Sequence, residues 1–338
     1  MDQSPSPGSF SWRTLESPVQ LAYVRIESTF EKVAEMPKVK EQAAVLALTK
    51  ATVGPWHHTA RVIQAAGSAM RLLERDFTGL DEDDRAHAAE VVSRSQAGDL
   101  AQAEELITVT HADGTHLVTV LDDEYPGNLD FTYNLPPFLW TRSRLIDEDD
   151  RSIAIVGEHR SDGPAIGRLQ QEVKALSAAG FTLVANLRSD IDSAIHTAAL
   201  SQGGRTIAAL AQGISMPILP EENATLAKEI AHNGVLVSPL WPSALTTQKT
   251  ASLSSVVTSG LAAAVYVLDG EESSGPARQA QVALSHGKHL FVPRQLHEQQ
   301  QWVRDLAYRG GVTVVRDIDD LLANMVNLLD VTRYMKMF

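Results

Sequence analysis

The chain of 338 residues contains no cysteine, which excludes disulfides, thiolate zinc ligands and a cysteine nucleophile. It has no apolar run of membrane-spanning length. Met1–Phe10, polar and carrying two prolines, lacks the hydrophobic core of a secretory signal. Among its 11 histidines no pair has the His-Glu-x-x-His spacing of a zinc-binding helix, and no Gly-Lys-Ser/Thr closes a phosphate loop. There is no internal repeat. Nor is there a surplus of positive charge. The net charge is −13; residues 1–150 hold 25 Asp and Glu against 13 Lys and Arg, and the remainder is nearly balanced at 17 against 16. The acidity thus belongs to the first part, and neither part carries a generally basic, nucleic-acid-like surface. A local basic pocket in the second part is compatible with this balance, because net charge says nothing about clustering. The expectation is a cytoplasmic globular protein with no membrane partner, and with no metal, cofactor or catalytic residue assigned. On that reading the Asn-Ala-Thr at 223–225 is a glycosylation match without consequence.

What is present is a rhythm. From Ser152 to Pro293, short continuous apolar runs alternate with segments of helical spacing. The runs are Ile153–Val156, Phe181–Ala185, Thr206–Leu210, Val235–Val237, Ala264–Leu268 and Leu290–Val292, and a helical pattern covers Gly163–Ala179. Runs that are apolar on both faces imply parallel strands covered on both sides. The fold class is therefore α/β, an extended Rossmann-like parallel sheet with helices on both faces, preceded by a small helical domain. Such sheets bind ligands outside the carboxyl ends of their strands, so function is expected in the loops that follow them.

The organisation expected is a disordered leader over 1–18, a helical domain over 19–106, a connector over 107–150 and the α/β domain over 151–338. Asp81-Glu82-Asp83-Asp84 suits a helix N-terminus, where negative charge is favoured. Leu117-Val118-Thr119-Val120 is expected as a short strand. Pro136-Pro137 forbids helix, so Leu135–Trp140 is expected as an extended apolar segment pressed against the α/β domain. Beyond Pro293, a helix over Glu298–Tyr308, a strand over Gly311–Val315 and a helix over Asp317–Leu329 complete the chain. No further folded domain is expected after them.

The order of these signals resembles the DNA-processing protein A (DprA/Smf) family. The residues that carry the likeness are Val156-Gly157 with Arg160, Ile191-Asp192 with His196, Ala199-Leu200, Gly203-Gly204-Arg205-Thr206-Ile207, Gly213, Pro220-Glu221-Glu222-Asn223, Ser274-Gly275, Ala283-Leu284, Gly287-Lys288 and Phe291-Val292-Pro293. Tyr125-Pro126 and Pro136-Pro137-Phe138-Leu139 resemble the family's entry into its α/β domain. The resemblance implies a non-catalytic protein that binds single-stranded DNA, dimerises and helps a recombinase-type partner, RecA, onto DNA. The winged-helix domain that some members add is not expected here. Two departures stand out. Where the family has Ser-Gly-Leu-Ala-x-Gly-Ile-Asp, this chain reads Ala185-Asn186-Leu187-Arg188-Ser189-Asp190-Ile191-Asp192, without either glycine. Asp190 would then place a carboxylate at a helix N-terminus where an anion would otherwise sit. Where the family has Arg-Asn-Arg, this chain has Ser254-Ser255-Val256, with Lys249 as a partial substitute.

The candidate ligand or DNA contacts are Gly157, Arg160, Asn186, Arg188, Asp192, His196, Gly213, Asn223, Lys249, Ser274 and Gly275. Arg160 reaches a phosphate or else pairs with Glu158 or Asp162. Arg188 is a gained phosphate contact. Asp192 and His196, four apart, share a helix face and form either a polar pair at the cleft or a helix cap and an internally satisfied histidine. Gly213 ends a strand at the ligand edge. Ser274-Gly275 offers either an anion cradle, short of one donor because of Pro276, or a plain N-cap. Gly203-Gly204 reads as a helix C-cap, and Trp241-Pro242 as a loop anchor in preference to a base-stacking platform. Three functions follow from these readings: a single-stranded DNA-binding protein with a protein partner; a sensor of a nucleotide ligand; or a non-catalytic scaffold with a degenerate pocket, paired with an operon-encoded enzyme, for example in a defence-type operon.

Overall fold

The computed structural model describes residues 38–158 and 163–335; the expected leader, the first part (19–37) of the expected helical domain and Arg160 lie outside them. The helical part consists of α1 (38–51), α2 (Trp56–Ala66), α3 (Ala69–Leu73), α4 (Glu82–Arg94) and α5 (Asp99–Ala112). Ala43 to Leu48, six consecutive apolar residues of α1, are all buried, as expected of a helix enclosed on every side. Asp81 caps α4, its carboxylate accepting from the Asp84 N–H at 2.8 Å.

Then come β1 (Thr115–Thr119), α6 (Gly127–Asp130), β2 (Phe138–Arg142), β3 (Ser152–Val156), α7 (Gly163–Ala178), β4 (Thr182–Ala185), α8 (Asp190–Leu200), β5 (Thr206–Ala209) and α9 (Ala224–Asn233). The remainder is β6 (Val235–Ser238), α10 (Gln248–Leu261), β7 (Ala264–Val267), α11 (Gly275–Ser285), β8 (His289–Pro293), α12 (Arg294–Gln299), α13 (Gln301–Arg309), β9 (Val312–Val315) and α14 (Ile318–Met335). The helix expected over 298–308 is two helices, because Gln300 is extended at φ −113° and ψ 121°.

Among the described residues, nine strands form one sheet in the order β1-β2-β6-β5-β4-β3-β7-β8-β9. From β6 to β9 every neighbouring pair is parallel. The order β5-β4-β3-β7-β8-β9 is that of a doubly wound dinucleotide fold, with β6 added outside β5, and its switch point lies between β3 and β7. Along β3 the alternation is visible in the packing. Ala154 and Val156 join one apolar cluster, and Ile153 and Ile155 join the other, so both faces are buried.

The stretch expected as a connector supplies two strands of this sheet. β2 runs antiparallel to β6, with Trp140 opposite Ser238 and Arg142 opposite Leu236, and β1 pairs antiparallel on its far side. Pro136 and Pro137 stop just before β2. There their carbonyls accept from the Tyr125 hydroxyl at 2.7 Å and the Val120 N–H at 3.1 Å. Phe138, Leu139 and Trp140 are fully buried, so the apolar segment is core.

Candidate nucleic-acid interface

The loops leaving β3 to β7 define the carboxyl edge of the sheet, and the loop after β4 is its most heavily bonded part. The Asn186 side-chain carbonyl accepts from the Ser254 hydroxyl at 2.7 Å and from Thr258 at 3.3 Å, which pins the loop against α10. The Asn186 backbone carbonyl accepts from His196 Nε2 at 2.7 Å. A carbonyl accepts only, so Nε2 carries the proton of the neutral ring, and Nδ1 lies 2.7 Å from the Thr206 hydroxyl, which also reaches the Leu183 carbonyl at 2.9 Å. Burial, the largest influence, pushes the His196 pKa down and keeps it in this neutral form. His196 is 0% exposed. It therefore has no nitrogen and no surface to offer a ligand; it positions the loop from within.

Asp192 also works inward. Its carboxylate accepts from the Arg188 N–H at 3.0 Å and the Ser189 N–H at 2.9 Å, while Ser189 Oγ accepts from the Asp192 N–H at 3.1 Å. This is a reciprocal cap at the start of α8. The start of α8 is thus self-capped through the Asp192 carboxylate, at the third helical position. Geometry decides this, since a side chain at the third position can reach back over the turn. Asn223 braces the same loop, accepting from Ser193 Oγ at 2.8 Å and donating to the Leu187 carbonyl at 3.4 Å. Asn186, Arg188, Asp192, His196 and Asn223 are thereby one bonded group. Arg188 itself is exposed, and no salt bridge among the described residues engages its guanidinium.

The loops after β5 and β6 touch. Gly213 donates to the Ala244 carbonyl at 2.8 Å, and a Cβ at 213 would lie 2.2 Å from the carbonyl oxygens of both Trp241 and Pro242. Only glycine permits that approach. Trp241 packs on Phe138, ring centroids 5.2 Å apart, and edge-on to Trp56 at 6.3 Å; it anchors the loop. Lys249 lies exposed in the first turn of α10, the helix to which Ser254 ties the β4 loop.

At the switch point Gly157 sits under Ile191 and Asp269, with a Cβ placed 3.1 and 3.2 Å from their nearest atoms. The Glu158 N–H, where such a loop would face a phosphate, donates to the Asp269 carboxylate. Ser274 caps α11, its hydroxyl accepting from the Ala277 N–H at 3.3 Å, and Gly275 is exposed with open space around it. Ser274 and Gly275 lie in the loop after β7, as Asp269 does, while Gly157 ends β3 and meets both Asp269 and Ile191 of α8.

Sequence reasoning missed Asp269, Ser254, Thr258 and the Glu172–Tyr266 pair. In that pair, burial raises the carboxyl of Glu172 and raises the phenol of Tyr266 further, the two being hydrogen-bonded. Asp269 follows β7 directly, so the strand order would have pointed to it. Ser254 and Thr258 carry a weak signal, two hydroxyls four apart on one helix face. Among the described residues no group of three or more His, Asp or Glu is arranged to hold a metal ion, and no helix is long and apolar enough to cross a membrane.

The sequence model of the family described as DNA recombination-mediator protein A matches residues 116–326, which take in the nine strands except for Thr115, the first residue of β1. This chain belongs to that family. The DNA-processing protein DprA of Bacillus subtilis (strain 168) is 29% identical over 187 residues, covering 55% of this chain and 63% of that protein. Protein Smf of Synechocystis is 27% identical over 216 residues, covering 62% and 54% respectively. The chain thus spans less than two thirds of the length of these relatives. The X-ray structure of DprA from Streptococcus pneumoniae superposes with a TM-score of 0.61 at 20% identity, covering 83% of this chain and 97% of that one. DprA from Helicobacter pylori, a structure described for its single-stranded DNA binding mode, gives 0.55 at 19%, covering 63% and 96%. These structures share the fold. Within the family frame, the loop that lost its glycines is here held by side chains. Ser254, standing where the resemblance would put a basic element, is fully buried and bonded to Asn186.

Proposed function

We propose that this DNA recombination-mediator family member binds single-stranded DNA through its sugar–phosphate backbone, acting in DNA processing or recombination. The observation that carries the reading is the pinning of two loops. The Asn186–Ser254 bond ties the loop bearing exposed Arg188 to the helix whose first turn bears exposed Lys249. Two side-chain cations on a rigid frame at the carboxyl edge suit a string of phosphates. Backbone donors contribute less, because the N–H groups of Arg188, Ser189, Glu158 and Ala277 are taken internally. The role is one of binding: His196, the nearest candidate base, is neutral and has both nitrogens engaged. By analogy with the family, the protein works in the cytoplasm as a homodimer with a recombinase-type partner. Gly213 and Asn223 shape the site; Gly157, Ser274 and Gly275 line its far end.

The test is fluorescence anisotropy of a labelled oligodeoxythymidine against salt. Two phosphate contacts predict a log–log salt slope of about −1.4, at roughly −0.7 per contact for a single strand. Arg188→Ala or Lys249→Ala should each reduce the slope by about 0.7. No binding at low salt overturns the proposal. It would favour the reading suggested by the self-capped helix starts, a regulatory or scaffold subunit with a degenerate pocket and an operon-encoded partner.

A further inference from the structure

Trp56 and Trp241 stand apart from the other tryptophans among the described residues. Trp140 and Trp302 are buried, whereas Trp56, at the start of α2, and Trp241, in the loop after β6, keep part of their surface in solvent. The two meet edge to face with ring centroids 6.3 Å apart, and both rest on the fully buried Phe138, at 5.7 and 5.2 Å. The surface beside them is apolar as well. Val53, 74% exposed, lies in the turn that leads into α2, and Leu245, 67% exposed, lies four residues after Trp241. One exposed apolar side chain is ordinary. Four of them, in two turns whose tryptophans touch, make a patch, and such patches mark binding sites.

The patch is held on a firm frame at the carboxyl edge of the sheet. The Ala244 N–H donates to the Trp241 carbonyl at 2.9 Å and closes the loop after β6 on itself. Gly213 and Ser215 fasten that loop to the one after β5, their N–H groups donating to the Ala244 and Pro242 carbonyls at 2.8 and 3.0 Å. A side chain presented this way needs little further ordering when a ligand arrives. β6 pairs with β5, and β5 with β4. At the usual strand spacing, the loop of Trp241 leaves the sheet about 10 Å from the loop of Arg188. On its other side the same loop runs into α10, whose first turn carries exposed Lys249. Exposed cations therefore flank flat apolar surface. A ligand that fits both must carry anions along one side and flat rings along the other. Single-stranded DNA has this chemistry, with phosphates in a row and unpaired bases beside them, and base stacking on aromatic side chains grips it whatever its sequence. An apolar protein segment would match the tryptophans but leave both cations unanswered.

We infer that Trp56 and Trp241 form a stacking platform for the bases of single-stranded DNA, which continues the path from Arg188 and Lys249 onto the joint between α2 and the sheet. The inference rests on the DNA-binding reading of those two cations. Stacking is not an ionic contact, so it adds affinity without adding to the salt slope. The test compares labelled oligodeoxythymidine with an oligomer of equal length built of abasic sites, which keeps the phosphates and lacks the bases. Both are titrated into the full chain by anisotropy over a salt series, with tryptophan fluorescence read alongside. Oligodeoxythymidine should bind more tightly than the abasic oligomer at every salt concentration, with the same slope, and should quench the fluorescence. Trp56→Leu, which keeps an apolar side chain on Phe138, should weaken oligodeoxythymidine by about fivefold or more, the worth of one stacked base. It should reduce the quenching, leave the slope unchanged and leave the abasic oligomer as it was. Trp56→Phe, which keeps a flat ring, should retain most of the affinity. Equal binding of the two oligomers overturns the platform and leaves the phosphate contacts standing. So does a Trp56→Leu chain that binds oligodeoxythymidine as before, or one that loses both oligomers alike, as a merely structural tryptophan would. The patch would then belong to a protein partner. No binding of either oligomer at low salt overturns the platform and the DNA reading together.

Discussion

His196 and His286 show how one residue type can be fixed by its surroundings. Each has both ring nitrogens bonded inside the protein: His196 to Thr206 and Asn186, His286 to Ser259 at 2.8 Å and Asn134 at 2.7 Å. Burial lowers both pKa values, that of His286 to about 4, with Lys288 adding to the effect. The unfolded chain titrates these rings near 6.5, so below that pH it binds more protons than the folded one. Stability therefore falls as pH drops through 6.5, and for His286 the loss continues to about 4. Urea midpoints should be lower at pH 5 than at pH 7, and His286→Gln should flatten that dependence; a midpoint that rises on acidification would contradict the assignment. His196→Ala leaves the Asn186 carbonyl unpaired beside a cavity, which should cost about 2–4 kcal/mol. The same urea titration at neutral pH measures it. The four-residue spacing of Asp192 and His196 implies a shared helix face, but not that this face points inward. Spacing fixes relative direction along a helix; burial depends on what covers it, here β4 and β5 with the neighbouring helices α7 and α9, all outside the helix itself.

At the scale of elements, the helix starts at the carboxyl edge are closed by their own side chains. α8 is capped by Ser189 and Asp192, α10 by Thr247 with Thr250, and α11 by Ser274. In an open site those N–H groups would face an anion. The cap at α8 adds a carboxylate where the DNA proposal needs a phosphate, and this makes a gain-of-binding prediction. Asp192→Asn keeps an acceptor for one N–H but removes the negative charge. Stability should fall by about 1 kcal/mol, the usual worth of a cap, while oligodeoxythymidine affinity at low salt rises several-fold. Anisotropy and urea titration on one preparation read both changes. Unchanged affinity would remove the β4 loop from the DNA path. Element spans were legible where runs are apolar on both faces: β3 to β8 fall within a residue or two of the apolar runs, since a doubly covered strand leaves few alternatives. The partnership of β1 and β2 with β6 was not legible. Trp140 and Ser238 are neighbours in space but nearly a hundred residues apart, and no local pattern encodes such a pairing. Ser254 and Thr258 escaped for a related reason, since small hydroxyls on a helix look the same whether they face water or Asn186.

For the whole molecule, the question is whether the helical part and the sheet are two folding units. The boundary near residue 150 was drawn from the charged stretch before Ser152, yet the packing runs across it. One apolar cluster extends without a break from Ala44 and Leu48 of α1, through Val118 and Leu139 of β1 and β2, to Val265 of β7 and Val303 of α13. A second joins Ala43 and Leu46 to Trp140, Ala208 and Leu236. Polar bonds cross as well: Gln42 donates to the Leu117 carbonyl at 2.9 Å, and Arg61 to the carbonyls of Asp130 and Thr132 at 2.7 Å. Removing α1 would expose Trp140 and Phe138, each fully buried, and such large apolar surface is not tolerated in isolation. The helical part and the sheet should therefore melt together. Differential scanning calorimetry should give one transition, with calorimetric and van't Hoff enthalpies in agreement. Leu48→Ala, in α1, should lower that single midpoint, at a cost of roughly 2–5 kcal/mol, and should not split off a sheet that melts at the original temperature. Two resolved transitions, with only the first moved by Leu48→Ala, would restore the boundary and show that the shared clusters are contacts between independent units.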